Sequence, residues 1–413
     1  MADAEVDAGT HDAVSYRALL TDPALVTVLL ISGTAAFGNN AVPVTLPVIG
    51  HAFGLGSSAI GLVMSTFALA VLVSIPVISV LADVYGRRAV VIPALLLFGV
   101  AGTATLFVSS FPALLALRAV QGAAFSGTLP LTPVLTGDLY TGAAGSSAQG
   151  FRSGLNGLTG AVAPLVASVL ALVAWQYPFV LFALAFPVAG LVYRYYPEPV
   201  EVRGPPPGGM GGALRDYAAG LRAAADRRLA VFMAGGFTLF FLKAGFTTFL
   251  PVFVVSGLGA PVTAAGTILG GYGGTRVVVS PLSGSVMARL GRKRTILLGT
   301  VVAAVGIAAI PLSASLPALG VAAAVFAVGE AMLNPVLNDA VALAAVAEQR
   351  AGVMGGLQVL KNVSLTVGPV LLGAVIATAG FTAAFFLAAT VGVGYALAVV
   401  VGLQPTVTTA TGR

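Results

Sequence analysis

Six ionisable side chains interrupt long apolar stretches of this 413-residue chain: Arg118, Lys243, Arg276 and Lys361 as bases, Glu330 and Asp339 as acids. Each is costly in hydrocarbon, so each is expected to face a partner or a watery cavity. The chemistry on offer is proton binding and ion pairing. There is no cysteine, and neither histidine (His11, His51) lies in an apolar stretch. Thiol catalysis, disulfides and a metal site therefore have no support, and no cofactor is expected. Glu330 leads as a proton site, because burial opposes ionisation of a carboxyl and a nearby base favours it. Asn334 and Asn338 drift from it by only about 40° per four helical residues and share its stripe. Asp339 falls about 180° away. The structural alternative is a permanent ion pair of Glu330 with Lys243 or Lys361.

Other polar positions are softer. Arg118 stands about six residues inside its stretch, with Gln121 one turn on, and snorkelling to the surface competes with a functional role. Asn39 and Asn40, followed by Pro43 and Pro47, suit a kinked helix facing a cavity, which Tyr272 is expected to share. Bonding between helices explains the two asparagines nearly as well.

The elements that must position these residues follow from composition. Hydrophobic residues make up 58% of the chain and charged ones 8%, against about 25% charged in soluble domains. That excludes a soluble enzyme, a nucleic-acid binder and a disordered scaffold, and requires an all-α polytopic membrane protein. About twenty apolar residues cross a bilayer core. Twelve spans are predicted, at 24–48, 58–81, 89–109, 112–136, 149–174, 177–196, 229–254, 262–287, 294–314, 317–343, 353–378 and 381–403. They form two six-helix bundles, 24–196 and 229–403, joined by a linker at 197–228 that holds Pro205-Pro-Pro-Gly-Gly, with tails at 1–23 and 404–413. On this layout Glu330 lies about 20 Å deep, with Lys361 and Arg276 near its level.

Arginine and lysine cluster on alternate loops, at 87–88, 203–228, 289–294 and 350, whereas 49–57, 110–111, 255–261 and 315–316 have none. This asymmetry predicts both termini and the linker in the cytoplasm, in a plasma membrane. The acidic start of the chain argues against a secretory signal. The halves also repeat. Ser110-Phe-Pro-Ala-Leu114 recurs as Ser315-Leu-Pro-Ala-Leu319, and the same offset of 205 relates Gly86 to Gly291, Pro130 to Pro335 and Pro164 to Pro369. Two like-oriented halves place a substrate site between them, near the midplane. Between the first and seventh spans the offset is 204 (Pro47 to Pro251), which sets Lys243 opposite Asn39; at 205 Lys361 falls opposite Asn156 and Glu330 opposite Phe125, so the charge is concentrated in the second half.

Ser79-Val-Leu-Ala-Asp83-Val-Tyr-Gly86-Arg87-Arg88 resembles the loop motif of the major facilitator superfamily, with Ser79 and Val84 departing from it. Gly284-Ser-Val-Met-Ala288-Arg289-Leu-Gly291-Arg292-Lys293 keeps the glycines and bases and loses the acid. Gly86 and Gly291 read as tight turns with guanidinium groups beside them. The resemblance implies a conformational latch made by Asp83, Gly86, Arg87, Arg88, Gly291 and Arg292, with Asp138 able to join; the alternative is a basic topology anchor. Arg118-Ala-Val-Gln121-Gly122 is similar to the family's R-x-x-Q-G segment, whose arginine is associated with proton coupling. Gly150 to Ser168, with Pro164, is similar to the glycine-proline segment of drug/proton antiporters. Close helix packing explains that segment too.

The resemblance implies the two-bundle fold and a secondary transporter, acting as a monomer, that moves a small organic solute by alternating access, with proton-coupled efflux first. A porter for an anionic solute is the alternative, because four embedded bases against two acids leave +2. An integral-membrane enzyme or channel lacks the clustered nucleophiles or the ring-like filter it would need.

Overall fold

The computed structural model describes residues 16–198, 211–212, 215, 226–346 and 350–403. The first fifteen residues, most of the linker and the tail from 404 lie outside the described residues, so the expectations placed there carry no structural statement. The described residues are helices joined by short turns, and eight helices among them are long and apolar enough to cross a membrane. One of these, Arg350–Gly402, contains two spans that meet at Gly380, whose φ of 80° breaks the helix between 378 and 381 as expected.

Two further spans are interrupted. The fourth runs as Phe111–Ser126, a 3-10 turn at Leu129–Leu131, and Thr132–Leu139. The eighth runs as Val262–Val279, a 3-10 turn at Ser280–Leu282, and Ser283–Leu290. Each break centres on a proline, Pro130 or Pro281, which removes a backbone donor. The ninth span is Arg292–Ala309. With the first (Pro23–Phe53), second (Ser57–Tyr85), third (Arg87–Ala104), fifth (Gly142–Leu170), sixth (Tyr177–Tyr195), seventh (Arg227–Val252) and tenth (Leu316–Ala344), the twelve-helix architecture is complete.

Local chemistry sets the ends. Asp22 caps the first span, its carboxylate accepting from Ala24 N at 2.8 Å, and Asp226 caps the seventh, accepting from Leu229 N at 2.9 Å. Gly86 (φ 95°) and Gly291 (φ 77°) turn the matching corners of the two halves, where a side chain would be strained. Two differences from sequence stand out. His51 lies in the last turn of the first helix rather than in a loop, because that helix continues to Phe53. Residues Tyr16–Thr21 of the expected free tail form a helix, held because Tyr16 packs edge-on against Phe151 and Tyr140 donates to Asp22.

Each half keeps its own apolar core. Phe98, Phe125 and Phe182 centre the first, and Phe246, Phe326 and Tyr272 the second. The halves meet through small residues. Gly61 faces the carbonyl of Pro369, Ser58 Oγ donates to the Gly373 carbonyl at 3.1 Å, and Gly273 lies on the backbone of Gly160. The glycine-proline segment of the fifth span thus serves as an interface, packing Pro164 and Ser168 against Gly266. The Gly61 and Ser58 contacts lie toward the end of the bundle that carries the Gly54 turn.

Candidate functional site

The buried carboxylate of Glu330, 1% exposed, is the centre of the charged group in the second half. Lys243 Nζ donates to Oε1 at 3.1 Å, Arg276 Nε lies 2.9 Å from Oε2, and the Tyr272 hydroxyl donates to Oε2. The Arg276 N–H is not aimed along that line, so this contact is electrostatic rather than a formed hydrogen bond. Tenth, seventh and eighth spans supply these groups. Phe246 and Phe326 pack on the Tyr272 ring at 4.7 and 5.9 Å and fix its hydroxyl.

Lys361 does not reach Glu330. Its ammonium donates to Asn338 Oδ1 at 2.7 Å and Asn334 Oδ1 at 3.3 Å, so the predicted asparagine stripe serves the lysine. Among the described residues it has no carboxylate partner. Phe240 stands between the two lysines, its ring 5.0 Å from Lys361 Nζ and 5.5 Å from Lys243 Nζ. Three bases and one acid leave this wall with a formal +2.

A cavity of about 350 Å³ lies between the halves. Asn39, Asn40, Phe67 and Phe125 line it from the first half, and Phe240, Lys243, Thr248 and Asn362 from the second. Among the described charged residues only Lys243 reaches it; Glu330, Tyr272 and Arg276 stand behind. The Gly61–Pro369 and Ser58–Gly373 contacts close the interface toward the Gly54 end. In the other direction a small void of about 30 Å³ continues between Pro76 and Gly355, sharing Ile75, Gln358 and Asn362 with the main cavity.

Arg118 is fully buried and does not snorkel. Nε donates to the Val63 carbonyl at 3.2 Å, Nη1 donates to Gln121 Oε1 at 2.7 Å, and the guanidinium sits 4.3 Å over the Phe67 ring. Gln121 Nε2 in turn donates to the Ala101 carbonyl and Thr105 Oγ1. These partners are all neutral. Gly122 lets the fourth span lie on the backbone of Phe67.

Of the residues expected to form a latch, those of the first half assemble at the Gly86 corner. Arg87 pairs with Asp83 at 2.5 Å and Asp138 at 2.9 Å, while Arg88 donates to the Tyr193 carbonyl. Glu198, which the predicted boundaries place in the linker, accepts from the backbone of Arg87 at 2.7 Å and of Arg88 at 2.8 Å. A carboxylate there caps the third span and complements its dipole. Its signal was present: an acid just beyond the sixth span, opposite a glycine-arginine helix start. Burial beside Asp138 and Glu198 pushes the Tyr196 hydroxyl well above its usual range, so it stays neutral. At the matching corner Arg292 pairs with Asp339 at 2.8 Å, both partly exposed. Asp339 thereby supplies an acid to the motif that lost its own. Every partner found for Arg87, Arg88 and Arg292 lies within its own half.

Twelve helices, a repeat register kept in three dimensions and a pocket between the halves meet one further observation. The sequence profile of the Major Facilitator Superfamily matches residues 28–261 and 232–412. The chain belongs to that superfamily. That superfamily is one of membrane transporters. Similar proteins include the bacillibactin exporter of Bacillus subtilis (strain 168), 26% identical over 153 residues, or 34% of this chain and 37% of that protein. The efflux pump dotC of Dothistroma septosporum (strain NZE10 / CBS 128990) is 29% identical over 160 residues, 38% of this chain and 27% of the pump. These matches thus span only about a third of those relatives' length. The multidrug transporter protein MdtP of Bacillus subtilis (strain 168) is 23% identical over 404 residues, covering 85% of this chain and 74% of MdtP. In fold the chain resembles the nucleoside transporter NupG (TM-score 0.80, 14% identity, 92% of this chain and 100% of that one). It also resembles the human organic anion transporter MFSD10 (TM-score 0.68, 19% identity, 91% and 99%).

Proposed function

We propose that this superfamily member is a secondary active exporter that moves a small organic solute out of the cell in exchange for protons, by alternating access. The observation that carries the reading is the Glu330 carboxylate, buried behind Lys243 at the wall of the cavity. A carboxylate held by two bases stays ionised while they remain in place, and can take a proton when rocking of the halves withdraws one of them. Lys243 is the partner positioned for this, since it alone touches both the acid and the cavity. The relatives named as an exporter, an efflux pump and a multidrug transporter support outward movement. The positive-inside pattern supports a plasma-membrane orientation with cytoplasmic termini, and the closed interface then faces outward, with the cavity nearer the cytoplasm.

A second reading concerns the solute. The excess of two positive charges in the cluster at and behind Lys243 favours an anionic group on the cargo. Reconstituted protein with a trapped pH dye tests the coupling: solute movement should carry protons the opposite way, one exchange per cycle. Solute flux with no pH change, or unaltered by an imposed pH gradient, would remove proton exchange. A parallel series of anionic, neutral and cationic solutes tests the charge preference.

A further inference from the structure

The wall of the main cavity is specific enough to define the cargo's chemistry, an inference that rests on the anion reading above. Three kinds of surface meet there. The first is aromatic: Phe67 and Phe125 stand edge to face at 5.2 Å on one side, and Phe240 lies on the other. The second is charge. The Lys243 ammonium has three donors and commits one to Glu330 at 3.1 Å. Because Arg276 also serves Glu330, this trio keeps one unmatched positive charge where the cavity begins.

The third is a pair of unsatisfied oxygens. Thr248 is fully buried and its Oγ1 has no hydrogen-bond partner among the described residues; the same holds for Oδ1 of Asn39. Both residues line the cavity, with the two oxygens buried just behind its surface, so a ligand donor meets them once the side chain turns toward the cavity. Asn39 comes from the first half and Lys243 from the matching position of the second, so the acceptor and the cation face each other across the pseudo-twofold. A buried acceptor without a donor is destabilising, and a ligand N–H or O–H removes that cost.

We propose that the cavity binds a planar aromatic acid that carries a hydroxyl or another hydrogen-bond donor at the end remote from its anion. The anion takes the free donors of Lys243. The ring system lies between Phe240 and the Phe67–Phe125 pair, and the far donor meets Asn39 Oδ1. Thr248 Oγ1, five residues from Lys243 on the same helix, holds a second polar edge of the cargo. A volume of about 350 Å³ suits a body of one or two fused rings, at the small end of ligand cavities.

The probe is 6-hydroxy-2-naphthoate, with binding to the purified full chain read by fluorescence anisotropy and no ion gradient. Its analogues are 6-methoxy-2-naphthoate, the corresponding hydroxynaphthyl methanol and the hydroxynaphthyl methylamine. The expected result is that the hydroxy acid binds about tenfold or more tighter than the alcohol, that the amine binds weakest, and that methylation of the hydroxyl costs about tenfold. Lys243→Gln should erase the preference for acid over alcohol. Asn39→Ala should erase only the preference for hydroxyl over methoxy. The wild-type series decides the matter even if a variant folds poorly. Equal binding of acid and alcohol, tighter binding of the amine, or no binding of the hydroxy acid would overturn the assignment. So would variants that leave both preferences intact. Equilibrium binding needs no proton movement, so failure here leaves proton exchange standing, whereas flux without proton exchange leaves this assignment standing.

Discussion

The two halves share one fold and one register, yet they hold the bases within their spans, away from the corners, differently. In the first half Arg118 meets the Gln121 amide oxygen on its own helix and a backbone carbonyl and a ring on the second span, all of them neutral. In the second half Lys243 and Arg276 converge on the carboxyl of Glu330, and Lys361 waits on two amides. Neutral dipoles of the main chain cannot change charge, so the first arrangement is a fixed joint. A carboxylate can gain a proton and a lysine can change partner, so the second is able to switch. The superfamily resemblance assigns proton coupling to the arginine of the first half; the surroundings of Arg118 favour a structural role.

The comparison is sharpened most by removing its fixed joint. Arg118→Ala leaves the Gln121 amide and the Val63 carbonyl buried without their donor, and should lower stability by about 3 kcal/mol or more. Thermal unfolding in detergent checks this. Loss of pH-driven flux in Arg118→Lys with no fall in melting temperature would instead move coupling into the first half.

The two corners give a smaller contrast. Arg87 is buried with two acids, so Arg87→Gln strands charge and should cost about 3 kcal/mol. Arg292 and its single partner Asp339 are both more than a third exposed, so Arg292→Gln should cost no more than about 1 kcal/mol. Equal losses at the two corners would show that the latch does not lean toward the first half.

The smallest effect is expected at Tyr140, which docks the N-terminal helix through Asp22. Tyr140→Phe should cost about 1 kcal/mol and speed proteolysis near Tyr16. Burial and the Asp22 carboxylate push the Tyr140 hydroxyl well above its ordinary value. The folded chain therefore keeps a proton that the unfolded chain loses. The wild type's advantage over Tyr140→Phe should be full below about pH 10 and shrink above it.

Much of the architecture was legible because a membrane permits few solutions: apolar runs became helices, and the glycines at 86, 291 and 380 fell at corners. The repeat register located the interface between halves. The partners within the site were harder to read. Sequence spacing put Glu330, Asn334 and Asn338 on one stripe, but the rotation and tilt of three other helices decide that the acid meets Lys243 and the asparagines meet Lys361. Asp339, placed by its angle on the far face, proved to complete the second corner. Tyr272 was expected in the cavity and stands behind it, because its hydroxyl is taken by Glu330. Glu198 was missed since its role depends on where the sixth span ends.

The claim beneath all this is that the second half's carboxylate carries the coupling proton. It is tested most directly in proteoliposomes by comparing wild type with Glu330→Gln, in solute exchange at equal pH and in flux driven by a pH gradient. The account predicts that the variant still exchanges solute while its gradient-driven flux falls by about a hundredfold or more. Gradient-driven flux at the wild-type level in a variant that exchanges normally would contradict it.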